Sequence, residues 1–162
     1  MEAILGPSMQ MFRTADFYME RSLAGLDAEH LVRTTGKANS ILWTIGHIVV
    51  GRLRLLTMLG ENVEITWQHL FGKGSDERSA MTYPPAAAVT ARHREAAVLL
   101  EARLGALTMA RLEEPAPYDL PGTEGTLLGT INYFAFHEAY HMGQVAALRK
   151  VLKPRDAAPD HR

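Results

Sequence analysis

Apolar side chains recur at intervals of three and four through four segments of the chain, with Gly and Pro gathered mainly between them. That is the period of an α-helix with one face on a core. From residue 8 to about 24 the stripe is Met11, Phe12, Ala15, Tyr18, Met19 and Leu23. Asn39 and Ser40 offer a cap to a second helix over 41–59, closed by Gly60. Its first half is apolar almost all round, which predicts burial on several sides. A third helix starts at Pro84-Pro85, where proline suits the first turn, and runs through Val89, His93, Ala96, Ala97, Leu100, Leu104 and Leu107 until Pro115 and Pro117 stop it. A fourth begins near Thr126, carries Leu127, Ile131, Phe134, His141, Val145, Leu148 and Leu152, and ends ahead of Pro154. The expected fold is all-α, a four-helix bundle with a long crossover between the second and third helices. That crossover, 61–83, exceeds the about 2–8 residues that usually join bundle helices. Within it, Trp67, Phe71 and the flexible Gly72-Lys73-Gly74 read either as a cap over one end of the bundle or as a solvated loop with one aromatic anchor.

Composition narrows the picture. With 162 residues, 47% of them hydrophobic, the chain suffices for one domain, expected over 1–154 with a flexible tail over 155–162. Lys+Arg 17 against Asp+Glu 18 leaves a formal net charge of -1, so no overall field draws a phosphate backbone or an anionic membrane face. Neither nucleic acid nor membrane is an expected partner. The lack of cysteine removes disulfides, zinc–thiolate sites, thiol nucleophiles and iron–sulfur clusters together. Any metal would have to be held by His and carboxylate. The start, Met1-Glu2-Ala3-Ile4-Leu5-Gly6-Pro7, has no basic stretch and long apolar run of a secretory signal, and the apolar run 41–50 is half the about 20 residues of a membrane span. A cytoplasmic protein is expected.

Candidate chemistry lies in the histidines. His137-Glu138-Ala139-Tyr140-His141 places two imidazoles one helical turn apart on nearly the same face, from which they can converge on one ion. The spacing alone is common. His141, however, falls on the apolar stripe between Phe134 and Val145, so the pattern aims a titratable ring at the core. A third imidazole, His47, lies in the apolar first half of the second helix, and facing helices are where bundles build metal sites. A lone buried histidine is more often a hydrogen-bonded core residue than a ligand. Three neutral imidazoles without thiolate suit Zn²⁺ or Ni²⁺ and leave a position open for water or substrate.

Glu138 reads as an interhelix polar contact or, alternatively, as a base beside the site. Gln144 stays unassigned, Tyr133 and Tyr140 read as core residues with their hydroxyls at the edge or, alternatively, as acidic hydroxyls near the site, and His30, His69, His93 and His161 as non-ligands. Arg52 and Arg54 fit a solvated or salt-bridged face better than an anion site. Nucleophile-elbow, P-loop and dinucleotide-binding motifs are all missing from the sequence.

Leu42-Trp43-Thr44-Ile45-Gly46-His47-Ile48, followed some ninety positions later by His137-Glu138-Ala139-Tyr140-His141-Met142-Gly143-Gln144, resembles the DinB-like (DinB/YfiT) family. The similarity includes the Trp-containing connection and the Tyr83-Pro84 lead-in to the third helix. The resemblance implies a four-helix bundle, often a homodimer, with a divalent metal, commonly nickel or zinc, on His47, His137 and His141. It also implies a small-molecule substrate. Some relatives are S-transferases that join a low-molecular-weight thiol to an electrophile, and one is a thiol-dependent maleylpyruvate isomerase. A metal-dependent hydrolase using Glu138, and a non-enzymatic stress-related metal-binding module, stand as alternatives. The literal match to the H-E-x-x-H of zinc proteases is set aside, because here the third ligand comes from an earlier helix.

Overall fold

Ser40 opens the most deeply buried helix by accepting a hydrogen bond from the Trp43 amide at 3.2 Å, and Gly60, at φ 92, follows its last turn. This helix, α3 (Ile41–Met58), is one of seven among the residues described by the computed structural model, 2–75 and 83–152. The others are α1 (Glu2–Leu23), α2 (Ala28–Val32), α4 (Gln68–Phe71), α5 (Ala86–Gly105), α6 (Met109–Glu113) and α7 (Leu127–Leu152). The expected tail lies outside the described residues. Helix α3 is the one described helix long and apolar enough to cross a membrane by length and composition, and 78% of it is buried inside the bundle.

The four long helices carry the architecture. Helix α1 packs on α5 and α7, and α3 packs on the same two, so α1 stands opposite α3 and α5 opposite α7. The long connection, which contains α4, joins the neighbours α3 and α5. The diagonal steps are made by the segments that hold α2 and α6. Both short helices are capped from their first residue's predecessor: Asp27 accepts from the His30 amide and Thr108 from the Arg111 amide.

The first helix starts six residues earlier than its stripe suggested. Pro7 lies inside it, past the first turn, where it forgoes one i→i−4 hydrogen bond, and the buried Leu5 holds the preceding turn on the bundle. The buried positions are Leu5, Ser8, Phe12, Ala15, Met19 and Ser22, alternating in steps of three and four, whereas Met11 and Tyr18, read from sequence as stripe residues, are exposed. Phe17, Tyr18, Phe136 and Tyr140 leave aromatic side chains on the surfaces of α1 and α7.

Candidate metal centre

Helices α3 and α7 face each other, as the two histidine segments required, and together they gather His47, His137 and His141. Each contributes one ring nitrogen, and the three nitrogens lie within 4.8 Å of one another. Nε2 of His137 is 3.1 Å from Nε2 of His47 and 3.1 Å from Nε2 of His141. All three rings are half-buried, so the cluster sits at the edge of the core and not inside it.

The stripe of α7 explains this placement and corrects the sequence reading of His141. The core positions are Ile131, Phe134, Ala135, Glu138, Met142 and Val145. Glu138, not His141, therefore points inward, and the imidazoles on either side of it flank the core. Sequence period alone left the choice open because α7 is apolar on most of its circumference.

The remaining ring nitrogens decide what the cluster can bind. Nδ1 of His47 donates to the Phe71 carbonyl at 2.7 Å, and Nδ1 of His141 donates to Oε1 of Gln144 at 2.7 Å. An acceptor on Nδ1 fixes the neutral tautomer that leaves the Nε2 lone pair bare. Two bare lone pairs thus converge on His137, whose Nε2 can donate to only one of them at a time. A cation satisfies all three. A tetrahedral ion with Zn–N of about 2.0–2.1 Å sets its ligand nitrogens about 3.3 Å apart, close to the spacing found here. Protonation does not compete: burial lowers the affinity of all three rings for a proton. For His137, burial first and then the neighbouring His141 and His47 bring the value down to about 3.

Aromatic rings flank the histidines, from the buried Trp43 to the exposed Tyr140. Trp43 stacks on His47 with ring centroids 4.8 Å apart, and its Nε1 donates to Ser75 at 3.1 Å. Tyr133 stacks on His137 at 6.1 Å, and Tyr140 meets His141 edge-on at 5.2 Å. Phe71 of the long connection is fully buried, so that connection is a packed element carrying a hydrogen bond to the cluster. Gln144, unassigned from sequence, orients His141. The signal was its place one turn beyond that histidine.

A second polar cluster, one residue from each long helix, lies in the core: Asp16 on α1, Arg52 on α3, His93 on α5 and Glu138 on α7. Arg52 has no exposed surface; its Nε donates to Oε1 of Glu138 at 2.9 Å, Nη2 pairs with Oε2, and Nη1 contacts Asp16 at 2.8 Å. Burial works against the Arg52 charge, but Glu138 and then Asp16 more than offset it and raise its proton affinity. Burial pushes both carboxyl groups up from their ordinary range, and Arg52 opposes the push. Asp16, His93 and Glu138 also bring ligand atoms within 4.8 Å of one another, but there the cation is already supplied by the chain's own guanidinium. Arg52 is salt-bridged, but in the core and not on the face expected for it, whereas the interhelix reading of Glu138 fits. His93, a non-ligand from sequence, is a buried neutral ring 3.4 Å from Asp16, held down to about 2 by burial and then by Arg52 and Arg94. Its place in the α5 stripe between Val89 and Ala96 was the legible sign.

The fold and cluster together define an all-α bundle protein with a three-histidine site that can hold a metal ion. Comparison with known families matches the DinB superfamily over residues 13–145, and the chain belongs to that superfamily. A search of the curated proteins finds no match.

Proposed function

We propose that this protein is a metal-dependent enzyme, with Zn²⁺ or Ni²⁺ on His47, His137 and His141, that transfers a small thiol to an electrophilic small molecule. The observation that carries the reading is the convergence of three Nε2 atoms, two of them stripped of their protons by acceptors on the far side of the ring. A fourth protein ligand is not among the described residues that form the cluster, which suits an open, reactive site over a closed structural one. When bound, such an ion lowers the pKa of a thiol and keeps the thiolate beside its electrophile. The chain's residues do the rest: Phe71 and Gln144 aim two of the ligands, while Trp43, Tyr133 and Tyr140 wall the rings. In the transfer the thiol gives up its proton and its sulfur forms a C–S bond: with a haloaromatic the C–halogen bond breaks, the halide leaves with the electron pair and the proton goes to solvent, and with an epoxide a ring C–O bond breaks and the oxygen takes up the proton.

The hydrolase alternative asked Glu138 to move protons, and Arg52 already engages both oxygens of that carboxylate in the core. A homodimer belongs to the same proposal, supported by the family resemblance and by the aromatic side chains exposed on α1 and α7, and so does a cytoplasmic location, which rests on the sequence reading alone.

The test begins with metal analysis of untagged wild type and His47→Ala, both purified without nickel resin. Near-stoichiometric zinc or nickel in wild type, lost in the variant, is expected. Thiol-dependent consumption of a haloaromatic or epoxide, abolished by His141→Ala, is expected next. Turnover without thiol would move the assignment to a hydrolase, and metal without turnover, but with a large loss of stability on chelation, to a binding module. A wild type that takes up no metal overturns the enzyme readings together.

A further inference from the structure

The three histidines differ in what aims them. His141 is held from its own helix by Gln144, one turn away, and Nδ1 of His137 is buried with no hydrogen-bond partner. His47 alone takes its acceptor from a distant part of the chain, the main-chain carbonyl of Phe71 at the end of α4. Its orientation is therefore tertiary, and it is only as firm as the seat of that connection on α3.

That seat is built around a missing side chain. The Phe71 ring, with no exposed surface, lies directly on Gly46, the residue before His47. A Cβ at position 46 would stand 2.4 Å from Cγ and Cδ2 of the ring and 2.6 Å from Cδ1. Flipping the ring about Cβ–Cγ leaves Cγ where it is and cannot relieve such a clash, and a swing about Cα–Cβ is opposed by the packing around a ring with no exposed surface; the relief left is a shift of residue 71 as a whole, its carbonyl included. The segment is fixed on its other sides as well. Tyr83 packs against Phe71 at 5.0 Å and Trp67 meets it edge-on at 6.3 Å. Trp67 holds a left-handed backbone at φ 58, and a Cβ at Gly72 would stand 2.4 Å from the Gln68 carbonyl.

We infer that Phe71 is a positioning residue for the metal ligand His47, acting through its main-chain carbonyl, and that Gly46 is what admits the connection to that position. The inference rests on the metal-site reading above. Its consequence is linkage: an ion that needs His47 in this orientation stabilises the seated connection, and a connection that is forced off its seat weakens the ion's hold by the same factor.

Two measurements test it on the full chain. Zn²⁺ affinity, by competition with a chromophoric chelator, is expected to fall about tenfold to a hundredfold in Gly46→Ala, the range found when the partner of a ligating histidine is lost. A merely structural role would lower the urea midpoint of the metal-free protein and leave the affinity alone; a folded Gly46→Ala with wild-type affinity overturns the inference. In wild type, which needs no variant to fold, the amides of Phe71 and Gly72, bonded to Trp67 and Gln68 at 3.0 and 2.8 Å, are expected to exchange more slowly once Zn²⁺ is added. Zinc binding without that slowing overturns the inference while the metal reading stands. Failure of wild type to bind zinc removes both.

Discussion

Glu138→Ala isolates the largest single electrostatic commitment in the core. The substitution leaves the Arg52 guanidinium, with no exposed surface, facing a void where two donors, Nε and Nη2, had a carboxylate. Breaking a buried pair from one side costs about 3–5 kcal/mol, because the surviving charge stays desolvated. Asp16 remains 2.8 Å from Nη1 and is itself partly open to water, so the lower end applies, about 3 kcal/mol out of the roughly 5–15 that hold a domain together. With a urea slope near 2 kcal/mol/M, the unfolding midpoint drops by about 1.5 M, readable by circular dichroism. The double variant Arg52→Met with Glu138→Leu removes both charges and fills the space with apolar atoms. It is expected to be more stable than Glu138→Ala, since a pair can be replaced at little cost where it cannot be halved. A midpoint for Glu138→Ala within about 0.3 M of wild type, or a double variant worse than the single, would refute this account of the core. The first outcome would also return Glu138 to consideration as a group with a chemical task.

Gly51→Ala is expected to raise stability by about 0.5–1 kcal/mol in the same urea assay. Its Cβ meets His137 Cε1 at 3.5 Å and Phe134 Cε1 at 3.6 Å, ordinary contact distances, in contrast to Gly46 on the same helix. His93 is depressed when folded, to about 2 from 6.5, so it favours the folded state fully above pH 6.5 and progressively less as pH falls below that value. Between pH 6.5 and about 5 the wild type is expected to lose about 1.5 kcal/mol more than His93→Gln, and equal pH slopes for the two would refute the buried neutral ring. Zinc at a hundredfold excess over its Kd is expected to stabilise wild type by about 2.7 kcal/mol and to leave His141→Ala unmoved, as followed by thermal unfolding.

What the sequence disclosed depended on how far apart the interacting residues lie along the chain. Helix type and rough extent follow from period, and the ends of α3 from Ser40 and Gly60, because those signals are local. The short helices α2, α4 and α6 escape the same reading, since four or five residues make little more than one turn and a single turn shows no period, although the caps Asp27 and Thr108 were there to be read. The three histidines were legible because the spacing of His137 and His141 on one helix is local and His47 is conspicuous in an apolar run. The Arg52–Glu138 pair was not, because Arg52 looks like a surface residue and an interhelix contact at Glu138 names no partner until two residues 86 positions apart in sequence are set side by side. The pair and the site are parts of one arrangement. Arg52 lies little more than a turn beyond His47, and Glu138 directly follows His137. The register that joins the buried charges is therefore also the register that brings the imidazoles of α3 and α7 together. A shift of one residue along α7 would separate both at once.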